Sequence, residues 1–167
     1  MVENARRKAR AVLERVGGRE SVLAADTEVV LDGRLLGKAG DEQEARERLQ
    51  ALSGRTHAVL TGIVVLTPES EGATESAERS GVARSEVKFR NVSQRLLEAY
   101  LASGEWRDRA GAYAVQGLGS SLVERVDGEL ANVIGLPVDL LLQLLPELLD
   151  TAGETLSQGG IQPNSQG

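Results

Sequence analysis

At 167 residues, 41% of them apolar and 26% charged, the chain is long enough for one domain with a real hydrophobic core and short for two. It has no cysteine, one histidine and 2% aromatic residues, which excludes disulfides, thiolate catalysis, Cys-ligated zinc and multi-histidine metal sites, and leaves little for base stacking. A net charge of −6 argues against a nucleic-acid partner, which is held by a basic surplus, but not against a single anionic nucleotide, which needs only a few local donors.

Taken in chain order, residues 3–16 predict a helix. Ala5, Ala9, Val12, Leu13 and Val16 recur near a 3.6-residue period, and Gly17-Gly18 stops it. Its basic cluster, Arg6, Arg7, Lys8 and Arg10, reads as a solvated face. The opening MVENARRKAR has no hydrophobic core of a secretory signal, and no apolar run reaches membrane-span length; no membrane partner and a cytoplasmic location are expected. Ser21–Leu31 is a β-rich run ending in Asp32-Gly33, a hairpin turn signal before Arg34–Leu36. Asp41, with Glu44 three residues on, caps a helix to about Leu52, closed by Gly54. Thr56–Leu66 reads as a strand, with Gly62 marking a bulge or a close backbone approach to a ligand. Residues 67–81 have no apolar period and predict a mobile loop inserted between two strands. Val82–Phe89 is the next strand. Ser93 caps a helix to about Ala102, ended by Gly104. A glycine-rich loop fills 105–119, Ser120–Val126 predicts a strand and Asp127-Gly128 a turn. Pro137 opens a leucine-rich helix to Leu149, kinked or restarted at Pro146. From Thr151 the chain is Gly, Ser, Gln, Asn and Pro, predicting a disordered tail over 151–167 behind a single domain of residues 1–150. Alternating strands and helices predict an α/β domain with a mixed sheet.

Several residues could carry chemistry. Asp26 sits among apolar strand residues, where a carboxylate is either a buried structural acceptor or a metal ligand or general base at a strand end. Lys38 after Gly37 is either an exposed turn lysine or an ammonium aimed at a phosphate. Arg55 could clamp phosphate or simply be exposed, and a lone histidine, His57, is more often structural than a ligand. The glycines from Gly111 to Gly119 surround Tyr113 and Gln116 without the spacing of a Walker loop or a dinucleotide fingerprint. An amide such as that of Gln116 offers both donor and acceptor to a base edge.

In this order the segments resemble the Maf family. Leu23-Ala-Ala-Asp-Thr-Glu-Val-Val30 is similar to its Ala-Asp-Thr-x-Val-Val strand. Gly37-Lys38 is similar to its Gly-Lys-Pro, with Ala39 for proline. Ala45 through Gly62 resembles its helix, Leu-Ser-Gly-x-x-His turn and following strand. Arg109-Ala-Gly-Ala-Tyr-Ala-Val-Gln-Gly117 resembles its Lys-Ala-Gly-Ala-Tyr-x-x-Gln-Gly loop, and Asn132-Val-Ile-Gly-Leu-Pro137 its closing motif. The resemblance covers about residues 5–149. It implies a Maf-like, inosine-triphosphatase-like fold: a twisted mixed sheet flanked by helices. It also implies hydrolysis of a nucleoside triphosphate between its α and β phosphates, in a house-cleaning role that extends to modified nucleotides. Asp26 and Lys38 would be catalytic, Asp26 also the ligand of a divalent metal (Mg²⁺ or Mn²⁺). Thr27, Gln116, Arg55 and Arg109 would bind substrate or set specificity. Asp-Thr with Tyr-x-x-Gln is similar to the dTTP/UTP branch, and the family suggests a homodimer.

Two departures accompany the matches. The family's first strand and Ser-x-Arg-Arg segment, which binds phosphates, precede the first helix, whereas Met1 stands about where that helix begins; the expectation is a sheet lacking its first strand. Arg109 replaces the family's lysine, trading a point charge for a planar fork. A non-catalytic nucleotide-binding or interaction protein on the same scaffold is the alternative reading.

Overall fold

The computed structural model describes residues 1–17, 20–67 and 77–149. The chain runs α1 (Val2–Arg15), β1 (Val22–Leu31), β2 (Arg34–Leu36), α2 (Glu42–Leu52), β3 (Thr56–Thr67), β4 (Ala77–Phe89), α3 (Gln94–Ser103), a 3-10 turn (Gly117–Leu122), β5 (Val123–Asp127), α4 (Leu130–Ile134) and α5 (Val138–Leu144). Local signals set several boundaries. Asp32 and Gly33 both take positive φ, 50° and 77°, the primed-turn geometry that matches strand twist. The Asp41 carboxylate accepts from the Glu44 amide at 2.8 Å and the Ser93 hydroxyl from the Leu96 amide at 3.3 Å, each filling an orphan donor of its helix. Gly104 ends α3 in the left-handed region.

The sheet order is β2-β1-β3-β4-β5, and every pairing among the described residues is antiparallel, not mixed as expected. The physical reason is the path of α2. It carries the chain from edge strand β2 to the far side of β1, so β2 and β3 run the same way but never touch. β3 and β4 pair without interruption from Thr56↔Lys88 to Thr67↔Ala77. β4 therefore begins at Ala77 rather than Val82, because a long partner overrides polar composition. The rest of the expected mobile loop, residues 68–76, and the tail from 151 lie outside the described residues. Ser120–Leu122 is 3-10 rather than strand: the Ser120 and Ser121 hydroxyls donate to the carbonyls of Gly117 and Leu118 three residues back. α5 stops at Leu144, and helical conformation resumes at 147–149 after Pro146.

Strand alternation divides the core. Val29 and Leu31 join Val59, Val87 and Phe89 under Leu49 and Leu52 of α2 and Leu97, Tyr100 and Leu101 of α3. The single Phe, the single Trp and both tyrosines of the chain all lie in this cluster. On the other face Ala5 and Ala9 of α1 pack on Val22, Val64 and Leu66. Small alanines let the helix sit close. Gly62 belongs to the same contact: a Cβ there would stand 2.8 Å from the Val2 nitrogen. The close approach that glycine signalled is to a helix, not to a ligand.

Candidate active site

β2 is three residues long and pairs only with Val29–Leu31. Residues 22–28 of β1 therefore have no strand beside them on that side among the described residues. A cavity of about 490 Å³ opens along this bare edge, bounded by Asn4 and Lys8 of α1, residues 35–38 at the end of β2 and just beyond it, the loop 108–116, and Val133 and Ile134 of α4. That is the size of a small-ligand pocket. Because successive side chains of a strand point to opposite faces, Asp26 and Glu28 emerge on the α1 side and Thr27 on the other. All three reach the cavity at the strand edge.

Asp26 is held by α1. Its Oδ1 accepts from Lys8 Nζ at 2.7 Å and its Oδ2 from Asn4 Nδ2 at 3.1 Å; Lys8 Nζ also donates to the Ala25 carbonyl at 3.1 Å. Partial burial pushes the Asp26 carboxyl up, but the bonds from Lys8 and Asn4 and the Lys8 charge outweigh it, and the net direction is below the ordinary value. The carboxylate is ionised at neutral pH.

Thr27 lies opposite Thr61 in the strand register, with the two hydroxyl oxygens 2.9 Å apart. Thr61 Oγ1, fully buried, donates to the Asn132 backbone carbonyl at 2.9 Å. The Asn132 side-chain Nδ2 in turn donates to the Val59 carbonyl at 3.2 Å and to Ser85 Oγ at 2.9 Å.

The wall facing the hairpin is the glycine-rich loop. Gly111, at φ 68°, donates its amide to the Leu36 carbonyl at 2.8 Å, and a Cβ there would press on the Val29 side chain at 3.1 Å. Tyr100 Oη accepts from the Ala114 amide at 3.1 Å, and the Glu105 carboxylate from the amides of Leu118 and Gly119 at 3.1 and 3.2 Å. These bonds fix both sides of Gln116, whose exposed side chain lines the cavity. Behind the loop, Tyr113 Oη lies 2.8 Å from His57 Nε2, and His57, Phe89 and Tyr113 meet edge to face. Burial drives His57 down to about 4, so the ring is neutral at pH 7. It props Tyr113 and does not line the cavity.

Of the residues singled out in the sequence, Asp26, Thr27, Lys38, Arg109 and Gln116 converge on the cavity. Lys38 Nζ lies 3.6 Å from Asp108, with side-chain exposures of 65% and 90%. So exposed a pair is weak, which leaves the ammonium free to turn to a ligand. Arg55 is not brought to the cavity; it pairs with Asp32 of the hairpin turn. Lys8 and Asn4 were missed, Lys8 because it sits in a basic run. Their signal was phase: each directly precedes a buried alanine, Ala5 or Ala9, and so flanks the stripe that packs on the sheet.

Among the described residues no group of three or more His, Asp or Glu side chains forms a metal cage. Asp26 and Glu28, two apart on one face of the strand, are held here by Lys8 and Asn4 and by the Met1 ammonium, and only with those partners displaced would they suit the Mg²⁺ type of site. Such sites use one or two carboxylates and complete the shell with water and substrate phosphates.

Residues 1–148 match the family model described as Maf-like protein. The dTTP/UTP pyrophosphatase of Thermococcus onnurineus is 46% identical over 143 residues, covering 86% of this chain and 73% of the relative. That of Pyrococcus abyssi is 43% identical over 141 residues, 84% of this chain and 71% of the relative. That of Thermococcus gammatolerans is 46% identical over 143 residues, 86% and 72%.

Proposed function

We propose, from the premise that this chain belongs to the Maf-like protein family, that its cavity hydrolyses dTTP, UTP and similar pyrimidine nucleoside triphosphates to the monophosphate and pyrophosphate. The observation that carries the reading is Asp26. It is an ionised carboxylate held between Lys8 and Asn4 at an open strand edge, with Lys38 and Arg109 across the same cavity. The relatives' names supply the reaction class and the nucleotides.

In this reaction a water oxygen attacks the α-phosphorus, the bond from that phosphorus to the bridging oxygen breaks, and pyrophosphate leaves. Asp26 orients the water and takes its proton. A carboxylate lowered by a lysine is a modest base, so most of the rate comes from positioning and from cations that neutralise the triphosphate. Lys8, Lys38 and Arg109 are those cations. A divalent ion held by Asp26 and Glu28 together with the phosphates would supply further charge neutralisation. On the opposite face of β1, Thr27 and, from the loop, Gln116 meet the base. A house-cleaning role, a cytoplasmic setting and a homodimer belong to the same proposal; no helix of the described residues is long and apolar enough to cross a membrane.

The test is pyrophosphate release from UTP and dTTP with Mg²⁺ or Mn²⁺. Asp26→Asn is expected to lower kcat by roughly a hundredfold or more, the usual scale of general-base loss. An unchanged rate overturns the role of Asp26. Tight nucleotide binding with no pyrophosphate released favours a non-catalytic binding protein.

A further inference from the structure

We infer that Thr61 and Asn132, which lie behind the cavity, fix the polarity of the Thr27 hydroxyl so that it presents only lone pairs to the ligand, selecting a base with an N–H at that point. This deepens the proposed function and rests on it for the identity of the ligand.

The argument is a count of protons. A hydroxyl has one hydrogen and two lone pairs. The Asn132 carbonyl can only accept, so at 2.9 Å the Thr61 proton is committed to it. Thr61 then has only lone pairs left for Thr27, and the 2.9 Å contact between the two hydroxyls is a hydrogen bond only if Thr27 is the donor. The reverse polarity would set two oxygen lone pairs against each other inside a fully buried site, where unmade hydrogen bonds are most costly. Asn132 is locked in place. Its amide nitrogen is spent on the Val59 carbonyl and Ser85 Oγ, and Ser85 Oγ donates to the Glu129 carbonyl. The chain of donors thus runs in one direction from the cavity inward.

Thr27 is left with acceptor capacity alone, on the cavity side. Gln116, by contrast, can turn its amide to offer either a donor or an acceptor. Thr27 is therefore the discriminating group. With the base's N3 towards it, a uracil or thymine imide donates N3–H, while cytosine sets a bare N3 lone pair against the hydroxyl oxygen. Thr61 and Asn132 are positioning residues for this choice and touch no substrate.

Two measurements on the full chain test it: equilibrium binding of UMP and CMP by calorimetry, and kcat/KM for pyrophosphate release from UTP and CTP. Thr61→Val keeps the side-chain shape but removes the hydroxyl, freeing the Thr27 proton to turn towards the ligand. Thr61→Ser keeps the hydroxyl and the relay. The wild type is expected to prefer the uracil nucleotide. Thr61→Val is expected to shrink that preference about tenfold, the scale of one hydrogen bond gained or lost, with Thr61→Ser close to wild type. An equal affinity of the wild type for UMP and CMP overturns the inference, as does an undiminished preference in Thr61→Val. So does its loss in a folded Thr61→Ser. Absence of pyrophosphate release with the UMP preference intact overturns the proposed reaction and leaves the relay standing.

Discussion

The single histidine gives the sharpest physical test of the packing behind the cavity. His57 is 3% exposed, edge-on to Phe89 and Tyr113, with Tyr113 Oη against Nε2 and no partner at Nδ1. Burial lowers it from 6.5 to about 4, with only a small opposing pull from Glu86. The unfolded chain therefore takes up a proton between those values that the folded chain refuses. Stability is intact above 6.5 and is lost as pH falls towards 4. The full shift is worth about 3 kcal/mol at 1.36 kcal/mol per unit, of which about 2 kcal/mol is gone by pH 5. The carboxylates that are lowered, Asp26 and Glu98 among them, lose their contribution only below their ordinary values of 3.8 and 4.5, largely beneath this window. Urea unfolding of the wild type at pH 7.5 and pH 5 should show the loss, and His57→Gln, less stable at pH 7.5, should lose about 2 kcal/mol less over the same interval. Proton NMR of the one imidazole should show it neutral down to the onset of unfolding. A titration midpoint between 6 and 7 in the folded protein would refute the account.

Two further outcomes follow from the site. Lys8→Met removes a bond that lowers Asp26, so the acid limb of the kcat/KM profile for UTP should move to higher pH. The plateau should also fall by roughly tenfold or more, as one of the cations that the proposed reaction uses is lost. Gly119→Ala drives a Cβ into the Ala114 carbonyl, a backbone clash that should cost about 2–4 kcal/mol in unfolding free energy and raise KM by displacing Gln116.

What the sequence made legible was local. Asp32-Gly33, Asp41 and Ser93 act through bonds and dihedrals within a few residues, so their pattern is their mechanism. The ordered motifs brought Asp26, Thr27, Lys38, Arg109 and Gln116 to one cavity because the first two stand on the strand β1 that lines it and the others in loops carrying glycines. What could not be read depended on a distant partner. Residues 77–81 look like loop until β3 lies beside them. Gly62 looks like a ligand contact until α1 arrives. Lys8 looks solvated until the helix phase, fixed by Ala5 and Ala9 on Val64 and Leu66, turns it onto Asp26. The relay through Thr61 and Asn132 joins residues 71 apart and leaves no local trace.

The adjacency of Asp26 and Thr27 then has a geometric reason. Neighbouring side chains of a strand serve opposite faces, so adjacent residues of β1 present different groups to the cavity. In the proposed reading Asp26 and Glu28, on the side of Lys8, serve the triphosphate chemistry, and Thr27, bonded to Thr61 on the other side, serves the base. A slip of one residue in the β1–β3 register would exchange the faces, putting the Thr27 hydroxyl on the α1 side and the Asp26 carboxylate on the other. The register holds without a bulge from Val22↔Leu66 to Val30↔Ala58, pinned on one side by Val29 and Leu31 in the larger core and on the other by Val22 beneath α1. Core packing on both faces of the strand therefore keeps the Asp26 carboxylate on the α1 side and the Thr27 hydroxyl on the Thr61 side.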